Sequence, residues 1–416
     1  MSYRSNVPNL GHLRVFERIA ETGSISRAAE MVGRSQPAVT LALRKLEQFS
    51  GSELLDRRRS GSYLTDAGSI FLARAQRLFE QIDRALTQPL VGAPFAEPDR
   101  LQGIRSKIAA SHIRAVIAVT EHETLETAAH SVGLSKPSLY RTTQELEKIL
   151  GRSLFNRTIR GFAANRLGAE LARRFSIALR EIDYALEEIE ASKGVIASRI
   201  LIGAMPLCAV QLLTDTINVL LKEYPATHVG IQDGPYVPLL ADLRHGRIDF
   251  LFGVLRRPDW AIDVVEMPLL YDPYAITVRN GHPLASKSRI TLADLAQFDW
   301  IMPRQGTPRR LAFDRLFENV ASPPSSNIET SSFEFQLSMQ LSSDRITLMT
   351  KHEARHHLGA GLLTSLQYSG LHRRSNDGIV MRHDWQPTAV QKRFLEILRE
   401  YASRVETPLV DHATSG

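Results

Sequence analysis

The sequence predicts a multidomain chain in which two similar, α-rich domains stand in tandem before an α/β domain with two lobes. Three observations predict this arrangement. The segment Thr22–Gly68 recurs without a gap as His122–Gly168, short apolar strands alternate with helices from Ser198 onward, and the excess of positive charge is confined to the part that holds the repeat. With 416 residues, 43% of them hydrophobic, the chain can form roughly two to four domains with their own cores.

The repeat has a constant offset of 100 residues. Because the matching residues differ in type and are irregularly spaced, a biased composition cannot produce them. The chain therefore carries one domain twice. The residues of the first copy that recur in the second are Ala28, Ala29, Val32, Gly33, Ser35, Pro37, Leu46, Glu47, Gly51, Arg57, Gly61 and Gly68.

In the first copy, the predicted order is helix, helix, tight turn, helix and hairpin. Gly23 ends an amphipathic helix, Gly33 tolerates the positive φ of a turn, and Ser35 begins a helix with Pro37 in its first turn. A short hairpin with the arginines Arg57–Arg59 follows. The helix that begins at Ser35 is expected to bury Val39, Leu43 and Leu46.

This order is typical of a winged helix-turn-helix, whose second helix enters the major groove of DNA by its N-terminal residues. Free N–H groups at helix N-termini attract phosphate, and the hairpin arginines are expected to follow the DNA backbone. A helical bundle with an ordinary solvated basic hairpin is the alternative. The first-copy residues expected to contact DNA are Ser26, Arg27, Ser35, Gln36, Pro37, Ala38, Thr40, Arg44, Lys45, Arg57, Arg58 and Arg59.

The second copy keeps this scaffold and changes its surface. Lys136 stands where the first copy has Gln36, and an amide and an ammonium group prefer different base edges. The two copies are therefore not expected to read the same bases, and the second copy could instead be a spacer or a dimerisation domain. Its candidate DNA contacts are Ser135, Lys136, Ser138, Tyr140, Arg141, Arg157 and Arg160.

Charge and cysteine count narrow the function classes. Lys and Arg outnumber Asp and Glu by 28 to 22 over Met1–Lys193 and equal them, at 23 each, over Gly194–Gly416, so a polyanion is an expected partner of the first half. An excess of this size can also arise by chance. The single cysteine, Cys208, excludes an internal disulfide and fits the reducing cytoplasm. No secretion signal, membrane span or cofactor motif stands out, so neither a membrane nor a cofactor is expected.

A long amphipathic helix is predicted after each copy, over 69–86 and over 169–193. Between the first helix and the second copy, the proline-containing segment 87–110 is predicted to be a linker. Apolar residues spaced three and four apart suit a helix that pairs with a partner helix. Packing of these helices against the chain's own body is the alternative.

From Ser198 the pattern is that of an α/β fold. The predicted strands Arg199–Gly203, Val229–Ile231 and Asp249–Gly253 alternate with helices, which implies a parallel sheet covered on both faces. A second set of strands begins near Tyr274 and predicts a second lobe.

At these residues the chain resembles the LysR-type transcriptional regulators. The first copy carries their pattern in Ser35–Val39 and Leu64–Gly68, with departures at Ser50 and Leu55. Segments such as His245–Asp249 resemble the periplasmic-binding-protein-like sensor domain of the family. The resemblance implies a sequence-specific DNA-binding regulator controlled by a small molecule, acting as a homodimer or homotetramer through the helix over 169–193, with RNA polymerase as a further partner.

The resemblance extends to about Val405 and sets the expected domain limits. Winged helix-turn-helix domains are expected over 1–68 and 111–168, an effector-binding domain with two lobes over 194–405, and a disordered tail over 406–416. Family members normally carry one DNA-binding domain, so the duplication is unusual.

Ligands of such folds bind beyond the carboxyl ends of the strands, between the lobes. The mixed lining expected there suits a small organic acid, an aromatic compound or a sugar. For each residue, a role in loop or lobe packing is the alternative. The candidate effector contacts are Met205, Pro206, Leu207, Cys208, Leu255, Arg304, Gln305, Thr307, Ser331, Ser332 and Phe333.

Other signals favour other functions. His352, Glu353 and His356 match the H-E-x-x-H pattern of zinc proteases, but Leu362 stands where the longer form of the motif needs a third ligand. Cys208 beside the cleft could be a redox switch, although a lone cysteine at a helix start is more often an apolar filler. The rival hypothesis is a ligand-binding or enzymatic α/β protein whose N-terminal helices only mediate oligomerisation.

Overall fold

The computed structural model describes residues 7–58, 61–88, 94–95, 98–158, 161–193, 198–206, 208–256, 260–324, 328–371 and 374–405. The chain divides into two compact units, Met1–Ser198 and Arg199–Gly416. Some sequence-predicted features lie outside the described residues: the tail 406–416, Arg59, Arg160, Leu207 and the side chain of Arg157.

The first copy folds as a winged helix-turn-helix. Gly23 adopts φ +63° and ends the first helix, and the Ser24 hydroxyl oxygen caps the second by accepting the Arg27 N–H at 3.4 Å. The strands of the wing pair antiparallel with Leu55 opposite Leu64. The elements are α1 (Leu10–Thr22), α2 (Ile25–Met31), α3 (Gln36–Ser50), β1 (Leu55–Arg58), β2 (Gly61–Leu64) and α4 (Asp66–Thr87).

The second copy has the same elements, and each begins 100 residues after its counterpart. A helix absent from the sequence-based prediction, α5 (Pro98–Lys107), precedes it within the segment expected to be a linker. Pro98 is compatible with this helix because the first turn needs no donor from its nitrogen. The elements of the copy are α6 (Ala110–Glu121), α7 (Leu125–Ser131), α8 (Lys136–Leu150), β3 (Phe155–Thr158), β4 (Gly161–Ala164) and α9 (Arg166–Ser192).

The two copies share one hydrophobic core. A continuous cluster of buried side chains includes Phe16 of α1, Leu78 of α4, Leu146 of α8 and Phe175 of α9. The N-terminal unit is therefore a single packed body rather than two independent domains.

The long helices α4 and α9 pack against each other within the chain. The buried Arg74 guanidinium binds Glu181 at 2.9 Å and Glu188 at 2.8 Å, and it lies 5.2 Å from the centre of the Tyr184 ring. The sequence left two possibilities open for these helices, pairing with a second chain or packing against the chain's own body. The contact between α4 and α9 corresponds to the second possibility.

The C-terminal unit holds a seven-stranded sheet in the order β11-β8-β13-β7-β5-β6, with β12 also paired to β8. Strand β5 is parallel to β6 and β7, as predicted, whereas β13 is antiparallel to β7 and β8, so the sheet is mixed. The first-lobe elements are β5 (Arg199–Ala204), α10 (Val210–Glu223), β6 (His228–Asp233), α11 (Tyr236–Arg244), β7 (Phe250–Val254), β8 (Val264–Arg279), β13 (Arg374–Arg382) and α16 (Ala389–Val405).

The second lobe forms around the far half of β8. The first half of that strand pairs with β13, and its second half pairs with β11 and β12, so β8 connects the lobes. Trp300 packs edge-on against Phe313 and Phe317 in the core of this lobe. Its elements are a short 3-10 helix (Pro283–Ser286), α12 (Leu292–Ala296), β9 (Ile301–Met302), α13 (Pro308–Leu316), β10 (Ile328–Glu329), α14 (Phe333–Leu341), β11 (Thr347–Thr350), α15 (Lys351–Gly359) and β12 (Leu363–Leu366).

Candidate nucleic-acid interface and effector cleft

The first copy presents the N-terminal end of α3 to solvent. Gln36, Pro37 and Ala38 are exposed and Thr40 is half-buried, while the opposite side of the helix is buried. The Ser35 hydroxyl makes no capping hydrogen bond, so the first N–H groups of α3 have no side-chain acceptor there. An N-terminus of this kind attracts phosphate.

Exposed cations lie before the start of α3 and along its length. Arg27, Arg44 and Lys45, which the sequence predicted, and Arg34, which it did not, make no ion pair with any described residue. Arg34 lies in the turn between α2 and α3. Its position directly after the turn glycine Gly33 is the signal that identifies it in the sequence as a candidate DNA contact. Burial lowers the pKa of His12, and the charges of Lys45 and Arg34 lower it further. The residues that flank α3 thus form a positively charged face.

The two described arginines of the first wing differ. Arg57 is exposed and has no ion-pair partner within the described chain. Arg58 binds Asp56 at 2.8 Å and lies 5.6 Å from the centre of the Tyr63 ring. The Glu47 carboxylate accepts the Leu54 N–H at 3.2 Å and ties the wing to α3.

In the second copy, the candidate DNA-reading side chains contact other protein groups. The Lys136 ammonium lies 2.8 Å from the Glu126 carboxylate. The Tyr140 hydroxyl accepts a hydrogen bond from Gln144 at 2.9 Å, and its ring packs edge-on against Phe162 of the wing. Ser135 caps α8 and hydrogen-bonds to Ser138 at 2.9 Å, whereas Arg141 is exposed.

Equivalent positions of the two copies differ most in charge. Four cations of the first copy are replaced by uncharged or acidic residues in the second, and one serine is replaced by a glutamate. These positions therefore hold less positive charge in the second copy, although each copy has seven Lys and Arg residues in all, because cations such as Lys136, Arg141 and Lys148 occur only in the second copy. The changes along the chain are Ser26 to Glu126, Arg27 to Thr127, Arg34 to Leu134, Arg44 to Gln144 and Lys45 to Glu145.

The first-lobe candidates for effector contact are mostly buried. Met205 and Leu255 belong to the apolar cluster of this lobe, and Met205 packs over Gly253. Cys208 is buried as well, and burial together with the negative charges of Asp377 and Glu353 raises the pKa of its thiol. Pro206 is exposed. A thiol of this kind is a poor nucleophile, which disfavours the redox switch.

The second-lobe candidates meet at one edge. Strands β9 and β10 are parallel neighbours, so the loops after them leave the sheet together. Thr307 caps α13 and Ser332 caps α14, while Arg304 and Gln305 are exposed and Ser331 is half-buried.

Phe333 packs within the second lobe. It packs against the apolar cluster formed by Met349, Ala354 and Leu363. Its ring centre lies 5.4 Å from that of His357.

Buried acids between the lobes were missed in the sequence. Asp377 of β13 accepts the Ala209 N–H at 3.1 Å and the Ser375 hydroxyl at 2.6 Å. Burial and the nearby Asp272 charge raise the pKa of Asp377 to about 6. Burial also raises the pKa of Asp272, which accepts the His352 N–H at 3.2 Å. No short-range pattern marks these acids, because their partners are distant in sequence.

Glu353 of the H-E-x-x-H segment is held by an ion pair. The buried Arg309 guanidinium binds the Glu353 carboxylate at 2.6 Å, and the same carboxylate accepts the Thr350 N–H at 3.2 Å. Among the described residues, no group of three His, Cys, Asp or Glu side chains could hold a metal ion. Glu353 is held in a buried ion pair of the second lobe.

The family comparisons agree with both parts of this architecture. The LysR substrate binding domain matches residues 193–403, and the bacterial regulatory helix-turn-helix of the lysR family matches twice, at 10–69 and 110–169. The chain belongs to the LysR family of transcription regulators. This confirms the predicted resemblance, the fold class and the duplication.

Similar proteins are regulators rather than enzymes. The chain is 30% identical over 361 residues to the HTH-type transcriptional regulator GalR of Pseudomonas putida, covering 86% of this chain and 89% of the relative. It is 25% identical over 314 residues to PcaQ of Agrobacterium fabrum, covering 75% of this chain and the whole relative. The GalR match is longer than the segment from the second copy to the C-terminus, so it must include part of the chain that precedes that copy.

A solved structure shows the same fold. Full-length OxyR from Pseudomonas aeruginosa, in a variant form, superposes with a TM-score of 0.52 at 21% identity, over 70% of this chain and 93% of that one. This LysR regulator is thus a DNA-binding transcription regulator with an effector-binding domain, and regulators of this family bind DNA and small molecules and form oligomers. Within the described residues, no helix is both long and apolar enough to cross a membrane.

Proposed function

We propose that this regulator binds promoter DNA in the cytoplasm mainly through the first copy, and that a small organic acid bound between the lobes controls its activity. The observation that carries the DNA assignment is the set of exposed cations before α3 and along it, which have no ion pair within the described residues. The candidate base contacts are Gln36 and Ala38, and the exposed arginines, with Arg57 of the wing, are candidates for phosphate contacts.

The effector class is supported by the second lobe. Helices α13 and α14 follow β9 and β10, and their N-caps are Thr307 and Ser332. Helix N-termini carry partial positive charge and favour a carboxylate. Gln305 and Ser331 on the adjoining loops add polar hydrogen-bonding groups.

The regulatory step is assigned to the connection between the lobes. Strands β8 and β13 link them, and a ligand that contacts both lobes favours one angle between them. The change would be passed on through the oligomer to the spacing or bending of bound DNA, and from there to RNA polymerase.

DNA binding is tested by footprinting and gel shift on the DNA upstream of the regulator's own gene. A Gln36→Ala/Arg57→Ala variant is expected to lose specific binding at 0.15 M salt, since each good base contact contributes about 1–3 kcal/mol. Folding is checked by circular dichroism. Specific binding that is unchanged in this variant would contradict the assignment.

The effector is tested by thermal-shift screening of the full chain against organic acids, aromatics and sugars. All three tryptophans, Trp260, Trp300 and Trp385, lie in the C-terminal unit. Their fluorescence therefore reports on the unfolding of the effector-binding domain. A ligand at 100 times its Kd adds about 2.7 kcal/mol to stability. A carboxylate is expected to stabilise the wild type and not Thr307→Val/Ser332→Ala. Stabilisation by sugars alone would contradict the organic acid.

A further inference from the structure

The two copies are related by an approximate two-fold exchange within one chain. Arg74 of α4 binds Glu188 of α9, and Arg174 of α9 donates to the carbonyl oxygen of Gln88, which follows α4, at 3.4 Å. Arg174 is the counterpart of Arg74, and Gln88 is the counterpart of Glu188. Swapping the copies thus converts one contact into the other, which is the property of an isologous dimer interface.

A second pair of contacts joins corresponding regions of the two copies, although the contacting residues are not counterparts. Lys193, just after α9, donates to the Gly51 carbonyl oxygen at 3.0 Å, at the end of the first copy's α3. Phe95, which follows α4, lies with its ring centre 5.3 Å from the Arg152 guanidinium, just after the second copy's α8. A residue from the segment after each long helix therefore contacts the turn that follows the other copy's reading helix.

These contacts belong to one hydrophobic core, so the two winged helices are fixed as a pair. Paired helix-turn-helix domains usually come from two identical chains and bind two identical half-sites. Here the two halves of the pair are different in sequence, and their reading faces differ in charge.

The difference lies in how many free cations the described residues offer around the reading helix, where the second copy has Arg141 and Lys148 of α8. The first copy offers Arg27, Arg34, Arg44, Lys45 and Arg57 to a phosphate backbone. In the second copy, the Lys136 ammonium pairs with Glu126 of the neighbouring helix α7. Glu145 stands where the first copy has Lys45. Equal half-sites would require equal contacts, and these faces cannot make them.

We propose that one chain of this regulator recognises an asymmetric DNA site. The first copy makes the tight contacts with bases and phosphates in one half of the site. The second copy, held beside it by α4 and α9, lies over the other half and makes few contacts that depend on sequence. This inference rests on the proposed DNA-binding role of the first copy.

The site is tested by selecting duplexes from a randomised library with the full chain and then footprinting the selected DNA. The expected result is one specified half-site beside a protected but weakly specified half. A palindrome with two equally specified halves would overturn the inference. Failure to select any specific DNA would instead overturn the proposed function, so the two failures are distinguishable.

Matched variants assign the contacts to the copies. Arg44→Ala/Lys45→Ala is expected to reduce the slope of log Kd against log salt by about 2, because each phosphate contact contributes about 0.9. Gln144→Ala/Glu145→Ala alters the equivalent positions and is expected to leave the slope unchanged. All four residues are half-buried or exposed, and circular dichroism checks the fold.

A third variant examines two cations of the second copy's reading helix, Lys136 and Arg141. Lys136→Ala/Arg141→Ala is expected to reduce the slope by no more than about 1, because only Arg141 lacks an ion pair within the described residues. A loss as large as that of Arg44→Ala/Lys45→Ala would show that both copies contact DNA equally. That result would overturn the proposal.

Discussion

The two winged helices of this regulator share the same backbone scaffold but differ in their exposed side chains. Glu47 and Glu147 both accept the backbone N–H of the residue just before the first wing strand, Leu54 or Leu154. In contrast, the exposed position that holds Lys45 in the first copy holds Glu145 in the second. Buried and hydrogen-bonded positions are constrained by the fold, whereas exposed positions are free to change with the ligand. The comparison therefore separates what makes the domain fold from what makes it bind DNA.

The largest expected effect tests the shared scaffold. A Cβ at Gly68 would collide with the carbonyl oxygen of Leu54, and a Cβ at Gly168 would collide with that of Leu154. Because the obstacle is backbone in both copies, Gly68→Ala and Gly168→Ala are each expected to cost about 4 kcal/mol or more. Circular dichroism during denaturation measures the loss of the N-terminal helices.

The control for this prediction is Gly103→Ala in α5, where an added Cβ meets no atom within 4 Å. Its stability is expected to be unchanged or higher, since alanine favours a helix. If only one of the two scaffold glycines tolerated alanine, the copies would not share the close approach between wing and long helix.

The second prediction concerns equivalent arginines on the two long helices. Arg74 pairs with acids of α9 and is 6% exposed, whereas Arg174 pairs with Glu170 of its own helix. Arg74→Ala removes the closest partner of the buried Glu181, which keeps Arg77 at 3.5 Å, and of the half-buried Glu188, and it is expected to cost about 3 kcal/mol. Arg174→Ala is expected to cost at most about 1 kcal/mol, because Arg173 still binds Glu170. Denaturant titration of the helical signal measures both, and equal costs would contradict the unequal pairing.

The sequence predicted the parts of the structure that depend on local patterns. The repeat, the turn at Gly33 and the strand-and-helix alternation of the C-terminal unit can each be predicted from a few neighbouring residues. The pairing of α4 with α9 could not be predicted, because an apolar helix face does not specify which helix covers it. Asp377 was missed for a similar reason, since its partners come from distant segments.

The third prediction uses a position that is titratable in one copy only. Burial raises the pKa of Glu17 to about 7, and the equivalent residue of the second copy is the buried Ile117. Ionisation of Glu17 therefore costs stability above pH 7, and this cost disappears as the pH falls toward the unfolded value near 4.5. Allowing for partial exposure, the gain between pH 8 and pH 5 is expected to be about 1–2 kcal/mol.

Glu17→Gln removes this titration, so the difference between wild type and variant isolates the contribution of one carboxyl group. Ile117→Val is the matched change in the second copy and is expected to leave the pH profile parallel to that of the wild type. A Glu17→Gln profile that is also parallel would mean that the folded protein does not disfavour the Glu17 carboxylate.

The smallest expected effect concerns the ion pair on the second copy's surface. Lys136 lowers the pKa of Glu126, so the carboxylate stays ionised and offsets the ammonium charge. Glu126→Ala is expected to leave the unfolding midpoint unchanged and to steepen the salt dependence of DNA binding by up to about 1, because Lys136 becomes free to contact a phosphate. Glu123→Ala removes a nearby exposed acid that has no ion pair within the described residues, and its effect on the slope is expected to be smaller. Equal effects of the two variants would mean that the acids act only through overall charge, and that Lys136 lies too far from the DNA to contact it.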